Sequence, residues 1–413
     1  MLRMVKFFFV AAAVLLFNMA MATPGKPLKT GLWKGFLLRA DGEPIVFNFD
    51  VSYPGKDPLI RIHNASERLE VKNIEQAGDS LFIEMPFFES SFRLQMQKDG
   101  SLAGNWIKGT SGKTIVMPFV AKPGNEPRFI GKTPARHQIS GKWEMSFGNS
   151  PSGRVAVGAF VQKGNQLSGS IVTASGDYRF LEGIVSGDSL YLGTFDGSHA
   201  YVFKAHISDN NTIDGGKFFA GPVSLQSFTA RRNDQAKVSL ESVAIGLRGT
   251  DDRLDFRFPE LDGKLVSIND DRFKNKVVVI QIMGSWCPNC MDETAFLSKY
   301  YKANKDRGVE MLALAYEYST DYARSVKTLN KFKERFAVDY PILITGVTSG
   351  DTLRTEKTLP QLTPIKSFPS TIFIGRDGRV KKVHGGFFGP ATDQYKEYVQ
   401  EFEATMEQLL KAS

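Results

Sequence analysis

Between residues 31 and 122 the chain runs in short stretches of alternating apolar and polar positions, with no sustained helical period. Stretches of strand length fall at 32–38, 45–51, 59–63, 69–74, 81–85, 92–96, 102–107 and 115–120. Turn signals separate them: Asp41-Gly42, Pro54-Gly55, Asp99-Gly100 and Ser111-Gly112. The pattern predicts eight strands. A similar plan returns over 139–231, displaced by 109 to 111 positions. Gly31-Leu32-Trp33-Lys34 is echoed by Gly141-Lys142-Trp143-Glu144, and Asp79-Ser80-Leu81-Phe82 by Asp188-Ser189-Leu190-Tyr191. Leu102-Ala103-Gly104 matches Ile213-Asp214-Gly215, and Pro118-Phe119-Val120-Ala121 matches Ser227-Phe228-Thr229-Ala230. Four landmarks in one order mark an internal repeat with room for a second set of eight strands. Consecutive antiparallel strands hide their edges by closing into an up-and-down barrel, so two small barrels are expected, ahead of two open sandwiches. Trp33 and Trp143 are expected to fill the interiors, although barrels of this size also hold small ligands.

Residues 122–138 and 232–255 are polar, the first rich in proline and glycine, and are expected to link the units. From Phe256 to the end of the chain at 413 the pattern changes to alternating strands and helices, the grammar of an α/β domain. Lys276–Met283 is an apolar run dominated by β-branched residues, as in a buried central strand.

Composition refines this picture in three places. The 413 residues exceed one ordinary core. Residues 1–22 combine a basic start (Arg3, Lys6), an apolar run over 7–17 and Ala20-Met21-Ala22, the pattern of a cleavable export signal. The predicted location is the periplasm, ahead of an uncleaved anchor in the inner membrane. Removing that segment lowers the net charge from +8 to +6, and the remaining basic residues are scattered without a nucleic-acid motif. No nucleic-acid partner is expected.

The third place is cysteine: only Cys287 and Cys290, within Trp286-Cys287-Pro288-Asn289-Cys290. A solitary close pair in an exported protein points to chemistry rather than to a structural framework. The motif follows the apolar strand and precedes a segment that can be helical. Cys287 is therefore expected at a helix N-cap with Pro288 in the first turn, where free N–H groups and the helix dipole stabilise a thiolate. Cys287 reads as the exposed nucleophile and Cys290, one turn on, as the buried resolving thiol. A bare C-x-x-C also occurs as half of a zinc site or as a structural disulfide. Zinc needs four ligands, and neither further cysteines nor nearby histidines are on hand in the sequence. No metal and no cofactor are expected.

On these residues the stretch 256–411 resembles thioredoxin-fold envelope oxidoreductases of the TlpA/ResA type. The resemblance includes Phe258-Pro259-Glu260-Leu261-Asp262-Gly263-Lys264, the Trp-Cys-Pro-Asn-Cys motif, and Ser367-Phe368-Pro369-Ser370-Thr371-Ile372-Phe373-Ile374 followed by Arg376-Asp377-Gly378-Arg379-Val380. It implies strands at 309–316 and 341–344, and helices at 320–336 and 391–411. It also implies a cis Pro369 facing the cysteines, so that Trp286, Pro288, Phe368 and Pro369 would line the substrate contact. Glu293 matches the acidic residue such reductases place below the cysteines, a proton relay for Cys290 unless it faces solvent. Gln281 stands where thioredoxin has its buried aspartate, Phe368 is bulkier than usual before the proline, and 345–367 is a long connection. His384 reads as structural. The resemblance implies a reductase of disulfides in envelope proteins, supplied with electrons by a membrane thiol reductant. A thiol oxidase or isomerase, or a ligand- or partner-binding barrel protein with an auxiliary thioredoxin domain, are the alternatives.

Overall fold

The computed structural model describes residues 26–148 and 154–412, so the expected export signal lies outside the described residues. In the first unit, strand Gly31–Leu37 pairs with Ile45–Ser52 on one side and with the last strand, Thr114–Pro123, on the other. All other neighbours are consecutive, and the ends of the nine-stranded sheet are Glu67–Val71 and Asn73–Ala77. The single strand expected at 69–74 is thus two strands. Leu69 and Val71 point inward, but Lys72 and Asn73 are both exposed, so the inside–outside alternation slips by one residue. The chain bends there, leaves Leu59–Asn64 and joins Ser80–Glu84, almost closing the barrel.

The second unit is a closed eight-stranded ring, because Arg154–Lys163 pairs with both Gly141–Phe147 and Gln166–Thr173. A ninth element, the two-residue strand Gly176–Asp177, pairs with the end of Gln166–Thr173 and was not expected. The repeat is visible in side-chain detail. The Trp33 indole donates to the Lys29 carbonyl and Trp143 to the Ile139 carbonyl, both at 2.8 Å and both four residues back. Both rings are fully buried.

Aromatic and branched side chains occupy the first barrel's interior, and the space left among Phe47, Phe49, Ile62, Phe92 and Phe119 is about 20 Å³, room for roughly one water. The second barrel adds a plug. Phe195 sits in the core of the first barrel, 4.2 Å from the Phe47 ring centroid and edge-on to Trp106 at 5.6 Å. Asn64 clamps the Phe195 backbone, donating to its carbonyl at 2.9 Å and accepting from its N–H at 3.1 Å. Such burial makes the barrels one body.

The C-terminal unit starts with the hairpin Arg257–Pro259/Leu265–Ser267. Its five-stranded sheet has the order Ile342–Ile344, Val309–Ala315, Val277–Met283, Ser370–Ile374, Val380–Gly385. The central strand, buried along its whole length, runs parallel to Val309–Ala315 and antiparallel to Ser370–Ile374. Helix α1 (Pro288–Asn304) follows the central strand, α2 (Tyr322–Phe336) follows Val309–Ala315, and α4 (Gln394–Lys411) ends the unit. The long 345–367 connection contains a short helix, α3 (Arg354–Thr358). The polar segments are packed rather than loose: Arg128 is buried, and Val243 and Ile245 are buried beside the C-terminal sheet. No helix among the described residues is long and apolar enough to cross a membrane.

Candidate active site

The site begins where the central strand stops. Gly284 and Ser285 turn the chain, and Glu317, just beyond the neighbouring strand, holds that turn by accepting from the Ser285 N–H at 2.8 Å and its hydroxyl at 2.6 Å. Burial pushes the Glu317 carboxyl above its ordinary range. Trp286 donates to the Tyr316 carbonyl at 2.8 Å, stacks on Tyr318 at 5.0 Å and meets Phe368 edge-on at 5.4 Å.

Cys287 is the N-cap of α1, with Pro288 at its first position. The sulfur accepts from the Cys290 N–H at 3.2 Å and donates to the Phe368 carbonyl at 3.4 Å. An N-cap sulfur in this geometry takes up one of the helix's unpaired donors. The Phe368–Pro369 peptide is cis and presents that carbonyl to the thiol. Both cysteines are free thiols, and Cys290 is fully enclosed. One expectation needs correction: Cys287 is not exposed but buried, with 4% of its surface accessible. Its neighbours in the fold include aromatic residues of the C-terminal unit, and the barrels pack close by.

Glu293 lies beneath the cysteines, fully buried, which removes the solvent-facing reading. Its carboxylate accepts from Gln281 at 2.7 Å, Thr371 at 2.6 Å and the Tyr398 hydroxyl at 2.7 Å. Burial raises its proton affinity, and the three donors offset this in part. Gln281 also reaches the Cys290 carbonyl at 3.4 Å, so it bridges Glu293 and the second cysteine. Burial, with the Cys287 sulfur and Glu293 charge adding to it, pushes the Cys290 thiol well above its ordinary range. A buried thiol of that kind needs a base before it can attack. Glu293→Gln is expected to slow release of the mixed disulfide by about a hundredfold, the low end of general acid–base contributions. First attack by Cys287 should be nearly unchanged, and stopped-flow kinetics with separate capture and release phases check this. His384 packs edge-on against Tyr398 at 5.4 Å, and its burial lowers its proton affinity, in keeping with a structural role.

Sequence reasoning missed the contribution of the barrels. Gly176–Asp177 lies against the Cys-Pro-Asn-Cys turn: Asn289 donates to Asp177 at 3.2 Å, and the Gly389 N–H donates to the same oxygen at 2.6 Å. Arg179 binds both oxygens of Asp292, two residues after Cys290, at 2.8 and 3.0 Å. It also reaches Glu67 of the first barrel at 2.7 Å and Asp196 of the second at 3.2 Å. The first barrel grips α2 through Glu89 and Arg324, and through Phe87 stacked on Phe336. Nothing in the local sequence around residues 67, 89, 177 or 179 marks them, because their partners lie more than 100 positions away. Among the described residues no group of three or more His, Cys, Asp or Glu side chains is arranged to hold a metal ion.

Residues 250–400 match the Redoxin family model. Thiol-disulfide oxidoreductase ResA of Bacillus thuringiensis subsp. konkukian is 27% identical over 147 residues, spanning 36% of this chain and 72% of that protein. Its Bacillus subtilis counterpart is 25% identical over 135 residues, spanning 33% and 66%. A Chlorobium tepidum structure described as a thiol:disulfide interchange protein DsbE aligns over 39% of this chain and 99% of that one, at 22% identity and a TM-score of 0.30. The C-terminal unit is therefore a redoxin domain of the thiol–disulfide oxidoreductase type, carried behind two β-barrels that the family model does not cover.

Proposed function

We propose that the chain reduces disulfides in exported proteins, with Cys287 as nucleophile and Cys290 as resolving thiol. The observation that carries this reading is the Cys287 sulfur at the N-cap of α1, bonded to the Cys290 N–H and facing the carbonyl before a cis proline. The Cys287 thiolate attacks one sulfur of the substrate disulfide; that S–S bond breaks, a mixed disulfide forms, and the departing substrate thiolate takes a proton. Cys290 then gives its proton to Glu293 and attacks the Cys287 sulfur. The Cys287–Cys290 disulfide closes and the second substrate sulfur leaves as a thiolate that takes up the proton held by Glu293, so two electrons and two protons have passed to the substrate. A dithiol donor at the membrane restores the pair. Trp286, Pro288, Phe368 and Pro369 form the contact surface around the sulfur.

The reading includes export by residues 1–22 to the periplasm, and it assigns the barrels to holding and shielding the dithiol rather than to carrying a ligand. The test is equilibrium titration of the pair against defined glutathione mixtures, with turnover of a disulfide-bonded peptide. A pair well below the glutathione couple in potential and active turnover are expected. A strongly oxidising pair that makes disulfides in a reduced peptide would instead support an oxidase.

A further inference from the structure

The first turn of α1 directs the Cys290 N–H and the positive end of the helix dipole toward the Cys287 sulfur. Two side chains at the start of α1, Asn289 in the first turn and Asp292 just beyond it, are both held by the second barrel. Asp177 accepts from Asn289, and Arg179 forms a two-pronged bond to Asp292. The fit is close: a methyl group on Gly176 would lie 2.3 Å from the Asn289 side-chain oxygen. Asp177 also receives the N–H of Gly389 and that of Arg179, at 2.6 Å each. It is buried, as is Arg179.

We propose that Asp177 and Arg179 are positioning residues of the redox site, through which the second barrel fixes the first turn of α1 and tunes the reactivity of Cys287. The inference rests on Cys287 being the nucleophile. It makes the barrel part of the oxidoreductase machinery rather than an independent module.

The charges give the tuning a sign. Asp177 and Asp292 place two carboxylates beside the turn that stabilises the thiolate, and like charges oppose one another. Arg179 offsets them but is shared with Glu67 and Asp196, the latter also paired with His199 at 3.0 Å. On the opposite side, Cys287 faces Tyr318, with Glu317 and Glu89 near the phenol. Carboxylates thus outnumber cations around the turn. Removing the charge of Asp177 or Asp292 favours the thiolate and makes the disulfide form easier to reduce.

The experiment uses the full chain with Cys290→Ala, so that iodoacetamide labels Cys287 alone. Labelling rates are followed from acid to alkaline pH in Asp177→Asn, in Asp292→Asn and in Asp188→Asn, a carboxylate of the same barrel that pairs with Arg136 and His137. Asp177→Asn and Asp292→Asn are each expected to lower the midpoint by about half a pH unit or more, a modest fraction of what a charge in close contact does. Asp188→Asn should leave it in place. In chains with both cysteines, the same two substitutions should shift the equilibrium with glutathione toward the dithiol. Folded variants whose midpoints coincide with that of the parent overturn the proposal. Should Asp177→Asn fail to fold, Asp292→Asn, on the redoxin side of the same contact, decides alone. If the midpoints stay fixed while Cys287→Ser abolishes exchange, the positioning role falls and the assignment of the nucleophile stands.

Discussion

Cys287→Ser is expected to reduce disulfide exchange to the uncatalysed background, while Cys290→Ala keeps the first half of the reaction and stops there. The asymmetry comes from the helix. At the N-cap, Cys287 receives a backbone donor and faces the Phe368 carbonyl. Cys290, one turn in, is fully enclosed, and its burial and neighbours hold its thiol protonated. A serine hydroxyl at 287 cannot supply the nucleophile near neutral pH, since the thiolate is what attacks. With alanine at 290, the mixed disulfide formed at Cys287 has no internal thiol to break it. It should accumulate, and mass spectrometry of non-reduced digests would find the substrate peptide on Cys287. Adducts gathering instead on Cys290 in a Cys287→Ala chain would reverse the two roles. The low exposure of Cys287 adds a further expectation: bulky alkylating reagents should react more slowly than small ones, because the residue is buried rather than on open surface.

The redoxin half of this architecture was readable in the sequence because its signals are local. The β-branched run ending at Met283, the proline inside the motif and the proline at 369 each act on adjacent residues, and the structure has a strand, a helix start and a cis bond there. The barrels were readable for a related reason: two-residue alternation and repeated Gly-x-Trp openings survive as periodic signals. The kink at Lys72 was hidden because Leu69, Val71 and Ile74 bracket only the short polar pair Lys72-Asn73, with no Gly or Pro to mark a turn, and only the slip of alternation betrays it. The site's long-range supports were invisible on principle. Glu317 and Tyr398 reach Ser285 and Glu293 across the C-terminal fold, and Arg179 reaches Asp292 from another unit. Such pairs have no spacing rule. The exposure of Cys287 was misjudged for the same reason, since burial depends on what packs from elsewhere.

Arg179→Met is expected to cost about 3–5 kcal/mol, the range for breaking a buried pair so that its charged partners remain. The guanidinium is 3% exposed, and its three carboxylate partners, Glu67, Asp196 and Asp292, are 13%, 1% and 10% exposed. Burial alone would lower its proton affinity, but those carboxylates outweigh it and hold the cation firmly charged. Methionine fills much of the volume and supplies none of the five donors. Because the partners come from both barrels and α1, the loss falls on the junction. Denaturant unfolding should separate into two transitions, the redoxin domain no longer melting with the barrels. Arg179→Lys should be intermediate, since an ammonium cannot reproduce the two-pronged bond to Asp292. The effect should depend on pH. In the parent, burial raises Asp177 from 3.8 to about 6 and also raises Asp292, so the folded state binds protons there that the unfolded state releases. The contribution of Asp177 is complete below the unfolded value and is lost as pH rises through about 6, and that of Asp292 is lost in the same direction. Asp196 behaves oppositely: against its burial, His199 and Arg179 lower it, so its contribution is present above the ordinary value and lost in acid. Without Arg179, all of these carboxylates gain proton affinity. The penalty of Arg179→Met should therefore be largest in alkaline buffer and shrink toward pH 5, as chemical denaturation at several pH values would reveal. A penalty independent of pH would mean that the side chain acts by packing rather than by charge.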